Sequence, residues 1–153
     1  MRPRFNSRAK GIKGELEFCR WLQTNFGLDF LPERNLDQVR NGGSDIVQVE
    51  PFFFEVKRVE NLDLYKAWSQ VVFSAIDSAR KKGTYREGDL FDNTDRVIPV
   101  VAFRVNKKTT WDFLIPSQFI GMEMGYIQLH ESMFIRWMRI QLRESQYQAE
   151  QDA

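Results

Sequence analysis

Apolar residues recur at helical spacing near the start of the chain. Ile12, Leu16, Cys19, Leu22 and Phe26 share one face of a helix predicted over 10–26, and Gly27 is placed to end it. Three strands follow. Residues 28–34 read as a first strand weakened by Pro32, 44–50 as a second and 52–59 as a third, with the Asn- and Gly-rich NLDQVRNGG loop after the first and Glu50-Pro51 between the last two. Asn61 or Asp63 can cap a long helix that carries Leu64, Trp68, Val71, Val72 and Ala75 on one face and stops at Gly83. A polar loop over 84–95 leads to strands over 96–105 and 110–115, then a short helix opening at Pro116 or Ser117. Residues 126–143 favour a strand and then a helix. Helix, three strands, helix, two strands and helices predict an α/β fold with a central mixed sheet flanked by helices.

Composition narrows the class. A length of 153 residues suits one domain, here 10–145, with a basic arm over 1–9 and a polar tail over 146–153 expected to be disordered. The single Cys19 cannot form an intramolecular disulfide, and one Cys with one His cannot build a Cys/His zinc site. No apolar run is long enough for a membrane span, and the basic N-terminus lacks the apolar segment of a signal peptide. A cytoplasmic setting without membrane partners is expected.

Charge changes the picture. The formal net charge is only +1, which argues at first sight against a nucleic-acid partner. The charge is unevenly distributed. The first thirteen residues carry Arg2, Arg4, Arg8, Lys10 and Lys13 and no acid, so the remainder sums to −4. Arg80, Lys81, Lys82 and Arg86 form a second basic group, Arg34 and Arg40 flank the loop before Asp45, and Arg58 follows the third strand. Arg4, Arg8, Lys10, Lys13, Arg34, Arg40, Arg58, Lys81 and Lys82 are candidate phosphate contacts.

Three acids and a lysine stand against the apolar pattern. Pairing Gln48 with Phe52 across a tight hairpin sets Asp45 opposite Glu55, with Cβ atoms roughly 5 Å apart, where like charges repel. Removing Asp45 is then expected to relieve the apo fold, and a divalent cation between the two would reverse the sign. Lys57 lies on the same face, about 7 Å along the strand. Glu15 falls within the apolar arc of the first helix, where a carboxylate needs a cationic partner. An E-x-K tripeptide occurs by chance in roughly half of chains of this length, so Glu55 and Lys57 carry weight only together with Asp45 and Glu15.

With this element order, the chain resembles the PD-(D/E)XK nucleases, most closely the phage and archaeal Holliday-junction-resolvase-like group. The matching residues are Lys10-Gly11-x-x-Gly14-Glu15, Gly43-Ser44-Asp45-Ile46 and Phe54-Glu55-Val56-Lys57-Arg58, with Gln70 where several members carry a further glutamine. Ser44 stands in place of the usual proline. The resemblance covers residues 10 to about 115 and implies a restriction-endonuclease-like αβββαβ core. It also implies hydrolysis of DNA phosphodiesters to 5′-phosphate and 3′-hydroxyl products. Asp45, Glu55, the Val56 carbonyl and Glu15 would hold Mg²⁺, with Mn²⁺ as substitute. Lys57 would orient or deprotonate water, and Gln70 would position it.

The implied partner is branched or junction DNA, and the implied state a homodimer. The apolar patch Met122, Met124, Met133, Phe134, Trp137 and Met138 is first of all core, and second a dimer surface. His130 and Trp111 are expected to be structural. A restriction-like or DNA-end-processing nuclease, or a DNA-binding relative that does not cleave, are the alternatives.

Overall fold

The edge strand of the central sheet organises the molecule. The computed structural model describes residues 7–36, 43–83, 97–117 and 125–153, and the side chains of 144–149 and of residues 7 and 152 lie outside that description. In chain order the elements are α1 (Ser7–Phe26), β1 (Glu33–Arg34), β2 (Ile46–Val47), β3 (Phe52–Val59), α2 (Leu64–Lys81), β4 (Ile98–Val105), β5 (Asp112–Pro116), β6 (Tyr126–His130) and α3 (Glu131–Asp152). The main sheet runs β3-β4-β5-β6. β3 and β4 are parallel, and the other two pairs are antiparallel. The expected mixed α/β architecture is present.

β3 and β4 are apolar on both faces because helices cover both. Phe52, Phe54 and Val56 pack with Val100 and Ala102 beneath α1 and α3, against Phe18, Leu22, Phe134 and Met138. Phe53, Val101 and Phe103 face α2, against Ala67, Trp68, Val71 and Ala75. α2 connects the parallel pair β3 and β4, a connection too long for a tight turn. It begins where Asp63 accepts the Lys66 N–H (3.0 Å). It stops before Gly83, whose φ of +71° suits a residue without a side chain.

α1 differs from its predicted orientation. Leu16, assigned to the buried stripe, is exposed at 43%, whereas Phe18 is fully buried. Phe18 meets Phe54 and Trp111 edge-on at centroid distances of 5.0 and 5.2 Å and stacks on Trp21 at 5.5 Å. Burying that ring outweighs burying Leu16, and the helix turns accordingly.

The predicted hairpin is also corrected. β2 spans two residues and pairs antiparallel with β1, and neither belongs to the main sheet. Gln48 takes a φ of +70°, the Phe52 N–H donates to Val49 O (3.0 Å), and the Glu50–Pro51 peptide is cis. β2 forms no ladder with β3, and the Asp45 N–H donates to Phe54 O (2.8 Å), so Asp45 lies beside Phe54 rather than opposite Glu55. Of the two residues expected to open a short helix, Pro116 is the last residue of β5 and Ser117, just after it, has 3₁₀-helical backbone. Residues 118–124 with Met122 and Met124, the arm residues 1–6, residues 84–96 with Arg86, and Arg40 lie outside the described residues. The strand-then-helix reading of 126–143 holds, and α3 continues to Asp152 through the segment expected to be a tail.

Two measurements follow. Phe18→Ala is expected to cost about 3–5 kcal/mol in urea unfolding, the range for removing a buried aromatic ring. Cys19 is buried, and that burial, with Glu15 beside it, pushes its thiol up from 9.0 to about 11. The unfolded chain therefore loses this proton first, and stability falls as pH rises from 9.0 towards about 11. A Cys19→Ala variant should lack that component of the pH profile.

Candidate active site

β3 has a hydrogen-bonded strand on one side only, so its even-numbered amides and carbonyls point away from β4. The chain around Ser44 and Asp45 meets them. The Phe54 N–H donates to Ser44 Oγ (3.1 Å), and the Val56 N–H donates to Asp45 Oδ2 (2.7 Å). Ser44 Oγ also accepts the Ile46 N–H (3.2 Å) and donates to Ile46 O (2.6 Å). The proline usual in the resembling family has no hydroxyl for these bonds. β1 braces the segment from outside, since the Asn35 N–H donates to Asp45 O (2.9 Å) and Asn35 Nδ2 to Ser44 O (2.9 Å).

A buried carboxylate is thereby fixed beside the catalytic-candidate strand. Asp45 is 6% exposed. The N–H and C=O of one strand residue point the same way, so the Val56 carbonyl faces the same edge as the Asp45 carboxylate. Glu55 and Lys57 alternate onto the α2 face, where Lys57 Nζ lies 2.8 Å from Glu55 Oε1. Glu55 is nearly buried and Lys57 reaches the rim. Asp45, Glu55, Val56 and Lys57 therefore occupy neighbouring positions on one edge.

Two predicted site residues have other surroundings. Glu15, proposed as a metal ligand, is ion-paired with Arg34 Nε. Arg34 answers the need of a half-buried carboxylate for a cation, and it is itself placed by the β1–β2 pairing of Arg34 with Ile46. Gln70 lies on the exposed side of α2, next to the buried Val71.

Among the described residues no group of three or more His, Cys, Asp or Glu side chains is arranged to hold a metal ion. Two carboxylates and a backbone carbonyl still suit Mg²⁺, which binds through one or two carboxylates and keeps several waters. The donor set thus fits a hard divalent cation at Asp45, Glu55 and Val56, without Glu15.

The basic candidates divide. Arg34 is held by Glu15, Arg58 by Glu17 (3.0 Å), and Lys81 by Asp77 (3.1 Å). Arg8, Lys13 and Lys82 are exposed, and Lys10 is half-buried. Sequence reasoning missed Arg104, which shares Glu17 with Arg58. Its signal was a lone charge near the end of an apolar strand. His130 projects into solvent with Nδ1 2.8 Å from Asp112 Oδ1, and Trp111 is core. Phe134 and Met138 are buried and Met133 is exposed. Among the described residues no helix is long and apolar enough to cross a membrane. No family model, curated protein or solved structure matched the chain significantly.

The Asp45 geometry reverses one expectation. Its carboxylate satisfies a buried amide, so Asp45→Ala should destabilise the apo protein by about 1–3 kcal/mol in urea unfolding. Asp45→Asn keeps an acceptor for Val56 and should cost less.

Proposed function

We propose that this chain is a Mg²⁺-dependent DNA endonuclease of the PD-(D/E)XK type, with a restriction-endonuclease-like core, acting on branched DNA in the manner of Holliday-junction resolvases. One observation carries the reading: Glu55, Val56 and Lys57 are consecutive on the edge strand β3, with Lys57 paired to Glu55 and the Asp45 carboxylate bonded to the Val56 amide. This combination of hard oxygen donors and an ammonium group suits a phosphodiester, which needs its charge neutralised and its attacking water aligned.

Asp45 and Glu55 would hold the cation, with the Val56 carbonyl as a third donor. The bound ion supplies Lewis-acid polarisation of the phosphoryl oxygen and of water, and charge stabilisation at the leaving oxygen. Lys57, at the rim, can hydrogen-bond both a water and a phosphate oxygen, and its charge offsets that of the phosphodiester. The Val56 N–H holds Asp45 in one rotamer, so a donor is ordered before substrate arrives. The exposed Arg8, Lys13 and Lys82 would add contacts to the backbone. A homodimer belongs to the same proposal, and the exposed Met133 and Ile140 of α3 support a contact there.

The Arg34–Glu15 ion pair favours a second reading, a relative that binds DNA without cutting it, because it removes one acid from the site. Cleavage of matched four-way junctions, flaps and linear duplexes separates the two. The wild type is expected to cut the junction with Mg²⁺ or Mn²⁺ and to be inert in EDTA. Lys57→Ala should lower the rate by about 10²–10⁴-fold while Mn²⁺ binding survives. Binding without cleavage under all conditions would select the non-cleaving relative.

A further inference from the structure

Arg58 on β3 and Arg104 on β4 are register partners in the parallel pair, on the face covered by α1. Neighbouring strands lie about 4.8 Å apart, so the two side chains leave the sheet side by side. Like charges in that position repel. A single carboxylate serves both: Arg58 Nη1 donates to Glu17 Oε1 (3.0 Å), and Arg104 Nη2 donates to Glu17 Oε2. Two guanidiniums against one carboxylate leave one net positive charge. Among the described residues no carboxylate other than Glu17 pairs with either arginine, and Glu15 is held by Arg34.

The cluster is also prepared in shape. Arg104 Cζ lies 5.2 Å from the centre of the Trp111 ring, a contact that orients the guanidinium plane without using its N–H groups. Gly14 gives Arg58 room beneath α1, since a Cβ there would come within 3.1 Å of Arg58 Cβ. The Arg58, Arg104 and Glu17 side chains are 25%, 18% and 24% exposed, so solvent reaches all three. Each arginine has five N–H donors, more than these bonds use. A clasp between α1 and the sheet needs one arginine; the second adds repulsion unless an anion joins.

We infer that Arg58 and Arg104 form a clamp for a phosphate of the nucleic-acid backbone, with Glu17 holding the two forks ready. The polyanion's identity rests on the nuclease reading; the charge excess and the geometry do not. Arg58 lies two residues beyond Val56, about 7 Å along β3, and on the face opposite Glu55 and Lys57, so the clamp would grip a backbone phosphate other than the proposed scissile one.

The test is binding of a fluorescein-labelled duplex in EDTA across a salt series, with folding followed by circular dichroism. Arg104→Gln should weaken binding about 3–10-fold and reduce the slope of log K against log[salt] by about one. Glu17→Gln should act in the opposite direction. It should lower the melting temperature in plain buffer, tighten duplex binding several-fold, and gain more melting temperature from added duplex than the wild type. A clasp with no role in binding predicts the first effect of Glu17→Gln without the other two. If Arg104→Gln fails to fold, Glu17→Gln decides alone. Unchanged slopes, or a wild type that binds no duplex, would overturn the clamp. Cleavage with Mg²⁺ tests the nuclease reading separately, so binding that follows these expectations without cleavage would refute that reading and leave the clamp standing.

Discussion

Strand β3 is hydrogen-bonded to β4 along one side, and its outward amides at positions 52, 54 and 56 would otherwise be buried without acceptors. The chain before it supplies them: Val49 O for Phe52, Ser44 Oγ for Phe54 and Asp45 Oδ2 for Val56. A buried N–H without a partner costs about 1–3 kcal/mol, so this edge could not remain open. Meeting the need with a carboxylate rather than with a continuous second strand has a chemical consequence. It buries a charge-bearing oxygen donor beside a backbone carbonyl, within reach of the face that carries Glu55 and Lys57. The demand that stabilises the edge is the demand that fixes Asp45 beside Val56.

Helix α1 is the other half of the arrangement. The Phe18 ring, wedged against Phe54 and Trp111, fixes its rotation, and that rotation decides where two acids go. Glu15 turns to Arg34 of β1, and Glu17 turns to the paired arginines of β3 and β4. Neither acid remains uncompensated. α1 is thus joined to the sheet by an apolar centre and by ion pairs at its margins, where partial exposure lowers the cost of removing charge from water.

The near-zero net charge gains meaning from this geometry. The acids that cancel the arginines in the sum are spent locally, on Glu15–Arg34, Glu17–Arg58–Arg104 and Asp77–Lys81. What remains is uneven: a positive excess stands at the β3–β4 arginines, while Glu55 is itself paired with Lys57. Field at a surface follows such local differences rather than the total.

The order of elements, the periodicity of α2, the capping by Asp63 and the stops at Gly27 and Gly83 were all legible in the sequence, because they depend on neighbours within a few residues. Asp45, Glu55 and Lys57 were legible as candidates because charge interrupted an apolar pattern. The position of Asp45 beside Phe54 was not, since β2 forms no ladder with β3. The rotation of α1 was not, because Leu16 and Phe18 compete for one core and only the opposing Phe54 selects between them. The partners of Glu15 and Glu17 were not, because they lie 19 residues away at Arg34 and 87 away at Arg104. Local sequence determined which segments form helices and strands and which charged residues interrupt the apolar pattern. Tertiary structure decided which of those charges meet, because pairing over such separations is set by the sheet and by the ring that turns the helix.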